Sequence, residues 1–258
     1  MNSNGMQKRC TSSPNPSVRR LRTLRRFLTL SLLNGTQTSY PLDCSVEKKI
    51  AMKENIKHSV VFWCFNIAGD KWDIDKTCKI AKSLGCQSVE ICGPEEWPTI
   101  KQHGLTCAIA ANGMPGAPFM KGLNNPAYQD EVIAVTSKMI DDCAAAGVPN
   151  VIAFTGYKWK DAGNPDSGEI SLSDGADNCV AGLKRLAIHA EKKGVTICVE
   201  HLNTRDDSHP MKGHPGYFGD DVDRCFDLVH RVDSPQFKLL FDIGTGGTHA
   251  APVAAKIL

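Results

Sequence analysis

Two carboxylates stand where apolar segments end. Glu200 closes Val195-Thr196-Ile197-Cys198-Val199, and Asp242 closes Lys238-Leu239-Leu240-Phe241. A charge at the end of an otherwise buried strand is costly unless it is paired, hydrogen-bonded or bound to metal. The residues alone leave two readings open: rim carboxylates held by Arg, Lys or backbone amides, or ligands of a divalent cation. Carboxylate oxygens suit Mg²⁺ or Mn²⁺, with some tolerance for Zn²⁺ or Co²⁺. The segment after Glu200, from His201 to Phe218, is long and polar and carries Asn203, Arg205, His209 and His214. Its composition is that of a lid over a carbohydrate. Asn112 and Glu90, each at or just beyond the end of another apolar run, are further polar candidates, Glu90 the weaker.

The elements that must position these residues alternate. Short β-branched runs occur at 59–65, 88–92, 106–110, 150–154, 195–200 and 237–243. Between them lie helical stripes such as Val132, Val135, Met139, Ile140 and Cys143, or Cys179, Leu183, Leu186, Ala187 and Ala190. The helices end in glycine just before a strand, the expected αβ connection. Near-continuous apolar strands between amphipathic helices predict a parallel sheet covered by helices. A dinucleotide-binding sheet should carry G-x-G-x-x-G after its first strand. Asn66-Ile67-Ala68-Gly69-Asp70 stands there instead. In a βα barrel the chemistry sits at the C-terminal ends of the strands. Glu90, Asn112, Thr155, Glu200 and Asp242 all fall there, so the fold class expected is α/β, of the (β/α)8 TIM-barrel type.

Glu200 followed by Leu202-Asn203-x-Arg205-Asp206, then Pro215-Gly216-Tyr217-Phe218 and Phe241-Asp242-Ile243, resembles the hydroxypyruvate-isomerase family of the xylose-isomerase-like TIM-barrel superfamily. Trp63-Cys64-Phe65 and Asn112-Gly113-Met114-Pro115-Gly116 belong to the same resemblance. It implies an aldose–ketose type isomerisation, such as hydroxypyruvate to tartronate semialdehyde, on a small sugar or hydroxy-keto acid. It also implies one divalent metal held by residues at the ends of the fifth to eighth strands. Carried over, Glu200 is base and metal ligand, and Asp242 is a ligand. Asn112, His201, Asn203 and Arg205 are substrate contacts. A sugar epimerase would use the same arrangement. An endonuclease-IV-like enzyme would need a His at position 245, where this chain has Thr.

After Ile243 the family continues Tyr-His-x-Gln-Ile, whereas this chain reads Gly244-Thr245-Gly246-Gly247-Thr248 and onward to Leu258. The expectation is therefore an incomplete barrel of about six βα units, residues 53–243, with a divergent tail at 244–258. Strands seven and eight, two metal ligands and a second glutamate would be missing, and activity would be weak or absent; an inactive truncated homologue is the non-enzyme alternative. Residues 1–52 differ in character and read as a basic, disordered extension. The first fifty carry a net charge of +7, which leaves −5 on the remaining 208 of an overall +2. An acidic body argues against a nucleic-acid partner. No apolar run reaches the roughly 18–20 residues of a membrane span. Eleven cysteines without a C-x-x-C pair suit a reducing, cytoplasmic setting. Arg25-Arg26-Phe27-Leu28 leaves export open as a degenerate twin-arginine signal. Cys64, Cys92, Cys107 and Cys198 read as small buried hydrophobes, and a homo-oligomer is compatible with the sequence.

Overall fold

The computed structural model describes residues 56–208 and 213–242. The extension at 1–52, the tail at 244–258 and His209 lie outside them. In chain order the elements are β1 (Ser59–Val61), α1 (Trp63–Asn66), α2 (Ile74–Ser83), β2 (Ser88–Glu90), α3 (Trp97–Gln102), α4 (Pro126–Ala146), β3 (Asn150–Ala153), β4 (Trp159–Asp161), β5 (Asn164–Glu169), α5 (Leu172–Lys193), β6 (Thr196–Glu200), α6 (Val222–Val232) and β7 (Phe237–Leu240).

Helix boundaries follow from local chemistry. The side chains of Asp73, Asn125, Ser171 and Asp221 each accept a hydrogen bond from a first-turn amide of α2, α4, α5 and α6. These caps satisfy amides that have no partner inside the helix. Helices α4 and α5 stop at Gly147 and Gly194, both in the left-handed conformation. Cys143 of α4, Leu186 and Ala190 of α5 and Leu228 of α6 are fully buried against the sheet. Full burial of one such aliphatic side chain contributes about 1.5–3 kcal/mol.

The sheet is parallel. β1 pairs with β2, and β6 lies between β3 and β7. Segment 106–110 joins the two groups through bridges from Thr106 to Ser88 and from Ala110 to Cys92 and Val151. Six parallel segments thus follow one another with helices on one side, as the alternation predicts. Among the described residues β1 and β7 do not pair, so these strands do not close a barrel. Along β6, Ile197 and Val199 are buried, while Thr196, Cys198 and Glu200 on the opposite face are half-buried. That second face is the interior of the barrel, and closure would bury it too.

The structure departs from the sequence expectation in four places. The run at 59–65 is a strand for three residues only. The Phe62 amide donates to Glu90 O, and the chain then turns into α1, leaving Cys64 exposed. Cys198, on the interior face, is only half-buried. Segment 106–110 is irregular because Val89 and Ile91, two residues apart, donate to Thr106 and Ile109, three apart. The extra residue is a bulge. Finally, the antiparallel hairpin β4–β5 and the short α3 were not foreseen. All described cysteines are free thiols. No helix among the described residues is long and apolar enough to cross a membrane.

Candidate active site at the strand ends

Alternation along β6 puts Glu200 on the interior face and His201 on the other. Burial pushes the Glu200 carboxyl up to about 7, and the charge of Asp242 adds to the effect. Register explains the proximity. Glu200 is opposite Leu240, and Asp242 lies two residues further along on the same face. Ala153 is opposite Val199, so the next residue, Phe154, falls beside Glu200.

His201 is fully buried, and its ring stacks on Phe241 at 5.3 Å between centroids and 13° from parallel. Burial pushes its imidazole down, partly offset by a hydrogen bond to Leu240 and by Asp242. Asn112 is buried; its Oδ1 accepts from the Met114 amide at 3.1 Å and its Nδ2 donates to Pro118 O at 3.4 Å. Asn203 Oδ1 accepts from the Arg205 amide at 2.9 Å, and Asn203 O accepts from the His214 amide at 2.6 Å. Arg205 is exposed. Glu90 lies on β2 and accepts from Ser88 Oγ at 3.1 Å; the next residue, Ile91, has φ 55°, a strained conformation for a β-branched side chain. The structure thus brings Glu200, Asp242 and His201 together, groups Asn203, Arg205 and His214 in the following loop, and leaves Asn112 and Glu90 on neighbouring segments.

Sequence reasoning missed what ties these parts together. Tyr217, fully buried, donates from Oη to Glu200 O at 2.8 Å, and the same oxygen accepts from the Thr155 amide at 3.0 Å. The flanking amides continue the tie, Phe218 donating to Gly156 O and Lys158 to Gly216 O, both at 2.8 Å. Gly216 has φ +90°, and a Cβ there would run into the Trp159 ring. The Pro215-Gly216-Tyr217-Phe218 motif was visible in the sequence, but not its bracing of the β3 and β6 ends.

Among the described residues no group of three or more His, Cys, Asp or Glu side chains gathers as a metal cage. Glu200 and Asp242 still fit a hard cation. They are oxygen donors of like charge, and Mg²⁺ is commonly held by one or two carboxylates with water completing its shell.

The model of the xylose isomerase-like TIM barrel family matches residues 78–246. The chain belongs to that family. Solved structures agree on the family's fold. AP endonuclease, family 2, from Brucella melitensis is 17% identical with a TM-score of 0.60, over 78% of this chain and 75% of that one. D-psicose 3-epimerase from Clostridium cellulolyticum H10, solved with D-tagatose, is 17% identical with a TM-score of 0.53, over 71% of this chain and 62% of the epimerase. A 3-keto-D-glucoside 4-epimerase from E. coli is 15% identical with a TM-score of 0.50, over 67% of this chain and 65% of that one. The chain therefore spans under two thirds of either epimerase. A comparison with curated protein sequences returns no match.

Proposed function

We propose that this chain carries the Glu200–Asp242 part of the site of a metal-dependent isomerase acting on a small sugar or hydroxy-keto acid. Conversion of hydroxypyruvate to tartronate semialdehyde is the specific reaction the sequence motifs favour. The supporting observation is the Glu200 carboxyl, pushed up to about 7 on the interior face at a strand end. A carboxylate so placed can take a proton from a carbon and give it back, as transfer between adjacent carbons requires, and a bound cation would draw its value down again. The proton leaves the hydroxyl-bearing carbon beside the carbonyl, resides on a Glu200 oxygen, and returns to the former carbonyl carbon, while the hydroxyl proton passes to the former carbonyl oxygen, so that hydroxyl and carbonyl exchange places. Glu200 and Asp242 would hold Mg²⁺ or Mn²⁺, which when bound supplies Lewis-acid stabilisation of the developing oxygen charge.

The other candidates divide by placement. Arg205 and Asn203, in the loop over the site, would meet substrate. Asn112 and His201, both buried, would act by positioning: Asn112 shapes the loop after segment 106–110, and His201 stacks on Phe241 beside Asp242. A sugar epimerase is the second reading, favoured by the epimerase likeness; it too begins with removal of a proton from the carbon beside a carbonyl, but returns one to the opposite face of that same carbon. An abasic-site nuclease is disfavoured, because net −5 beyond residue 50 opposes phosphate binding.

The test is an isomerase assay with hydroxypyruvate and Mg²⁺ or Mn²⁺ on this chain and on Glu200→Gln. Turnover that disappears in the variant supports the assignment. Equal signals from both remove it.

A further inference from the structure

Beside Glu200 the interior face continues into a ring cluster that the proton transfer does not use. Phe154, on the Glu200 row of the sheet, meets Phe119 edge-on at 6.2 Å between centroids. Phe119 in turn meets the His214 imidazole at 4.2 Å and 72°, and Tyr157 at 6.0 Å. Phe119, Phe154 and His214 are only half-buried. Within this cluster His214 Nδ1 is buried and has no hydrogen-bond partner among the described residues. A buried polar atom left unpaired is costly, so its persistence needs an explanation. The backbone offers none: the His214 amide donates to Asn203 O, which ties the residue to the start of the segment that follows Glu200.

We propose that Phe119, Phe154 and His214 form the substrate wall of the site, with the C–H face of a ketose chain against the two rings and a hydroxyl hydrogen-bonded to His214 Nδ1. A hydroxyl both donates and accepts, so it satisfies Nδ1 in either tautomer. A bare carboxylate would serve only one. Burial holds the imidazole below its usual range, which favours its neutral form. A neutral polar atom beside aromatic rings matches a hydroxylated carbon chain better than an anionic end group. The wall therefore selects ketoses with a hydroxyl-bearing tail, and so favours the small sugar over the hydroxy-keto acid as the substrate of the proposed isomerase. The inference rests on the isomerase reading for the location of the reacting carbons.

The test measures D-fructose binding to the full chain in Mg²⁺ by saturation-transfer NMR, alongside deuterium exchange at the sugar carbons. His214→Leu should weaken binding about tenfold, the scale of one lost hydrogen bond plus an unmet hydroxyl. His214→Asn, which retains a hydrogen-bonding group, should restore most of it. If His214→Leu fails to fold, Phe119→Leu is read in its place and should show a loss of similar size. Unchanged binding in these variants, or no binding by the wild-type chain, overturns the wall. Binding that depends on His214 without any carbon exchange would uphold the wall and sink the isomerase reading instead.

Discussion

The Tyr217 hydroxyl donates to the carbonyl oxygen of Glu200 at 2.8 Å while accepting from the Thr155 amide at 3.0 Å. One buried phenol thereby fixes the ends of β3 and β6 relative to each other, next to the carboxyl proposed to move a proton. Tyr217→Phe leaves that amide and that carbonyl without their partner. The expected cost is about 1–3 kcal/mol of stability, read as a lower urea midpoint at unchanged slope. A variant as stable as the wild type would show that the tie does not brace the site.

Glu200 makes stability depend on pH with a definite sign. Its carboxyl rises from an ordinary 4.5 to about 7 on folding, so in that window the folded chain holds a proton that the unfolded chain has lost. Stability therefore falls as pH rises from about 4.5 to 7 and stays reduced above it, by up to about 3 kcal/mol. Glu200→Gln should be more stable than wild type at pH 8 and equal to it near pH 4, in chelator-treated protein. Parallel pH curves for the two chains would contradict the burial of this charge.

Asp242 contributes to the same shift by repulsion. Asp242→Asn should lower the Glu200 value without returning it to 4.5, because burial is the larger cause. Carbon-13 NMR of the Glu200 carboxyl reads this directly, and an unmoved titration would place Asp242 outside the site.

Gly216 is held at φ +90° with its α-carbon against Trp159. Gly216→Ala combines a disfavoured backbone conformation with a clash. A cost of about 1–3 kcal/mol is expected, with faster hydrogen exchange at the Tyr217 and Phe218 amides. Unchanged exchange would mean that the loop has room to shift.

How much of this the sequence disclosed depends on how local each cause is. Glu200 and Asp242 were legible because a charge ending an apolar run is conspicuous whatever surrounds it. The helices around Leu183 and Ile140 were legible because their stripe and capping glycines are short-range. Tyr217 was not, since its two partners lie 17 and 62 residues away. The hairpin β4–β5 was hidden because Asn164-Pro165-Asp166-Ser167-Gly168 has the composition of a loop, and its pairing is exposed. Cys64 looked buried because its neighbours are apolar, yet the strand ends before it. His214 read as a lid residue; its contact with Phe119 depends on folding of the loop onto a distant segment.

The central claim is that Glu200 removes a proton from the carbon beside a carbonyl. Exchange into D₂O tests it without requiring the full isomerisation. Hydroxypyruvate or D-fructose incubated with this chain and Mn²⁺ should gain deuterium at the carbon next to its carbonyl, and Glu200→Gln should reduce the rate at least a hundredfold. Deuterium gained equally with both chains, or with neither, would contradict it.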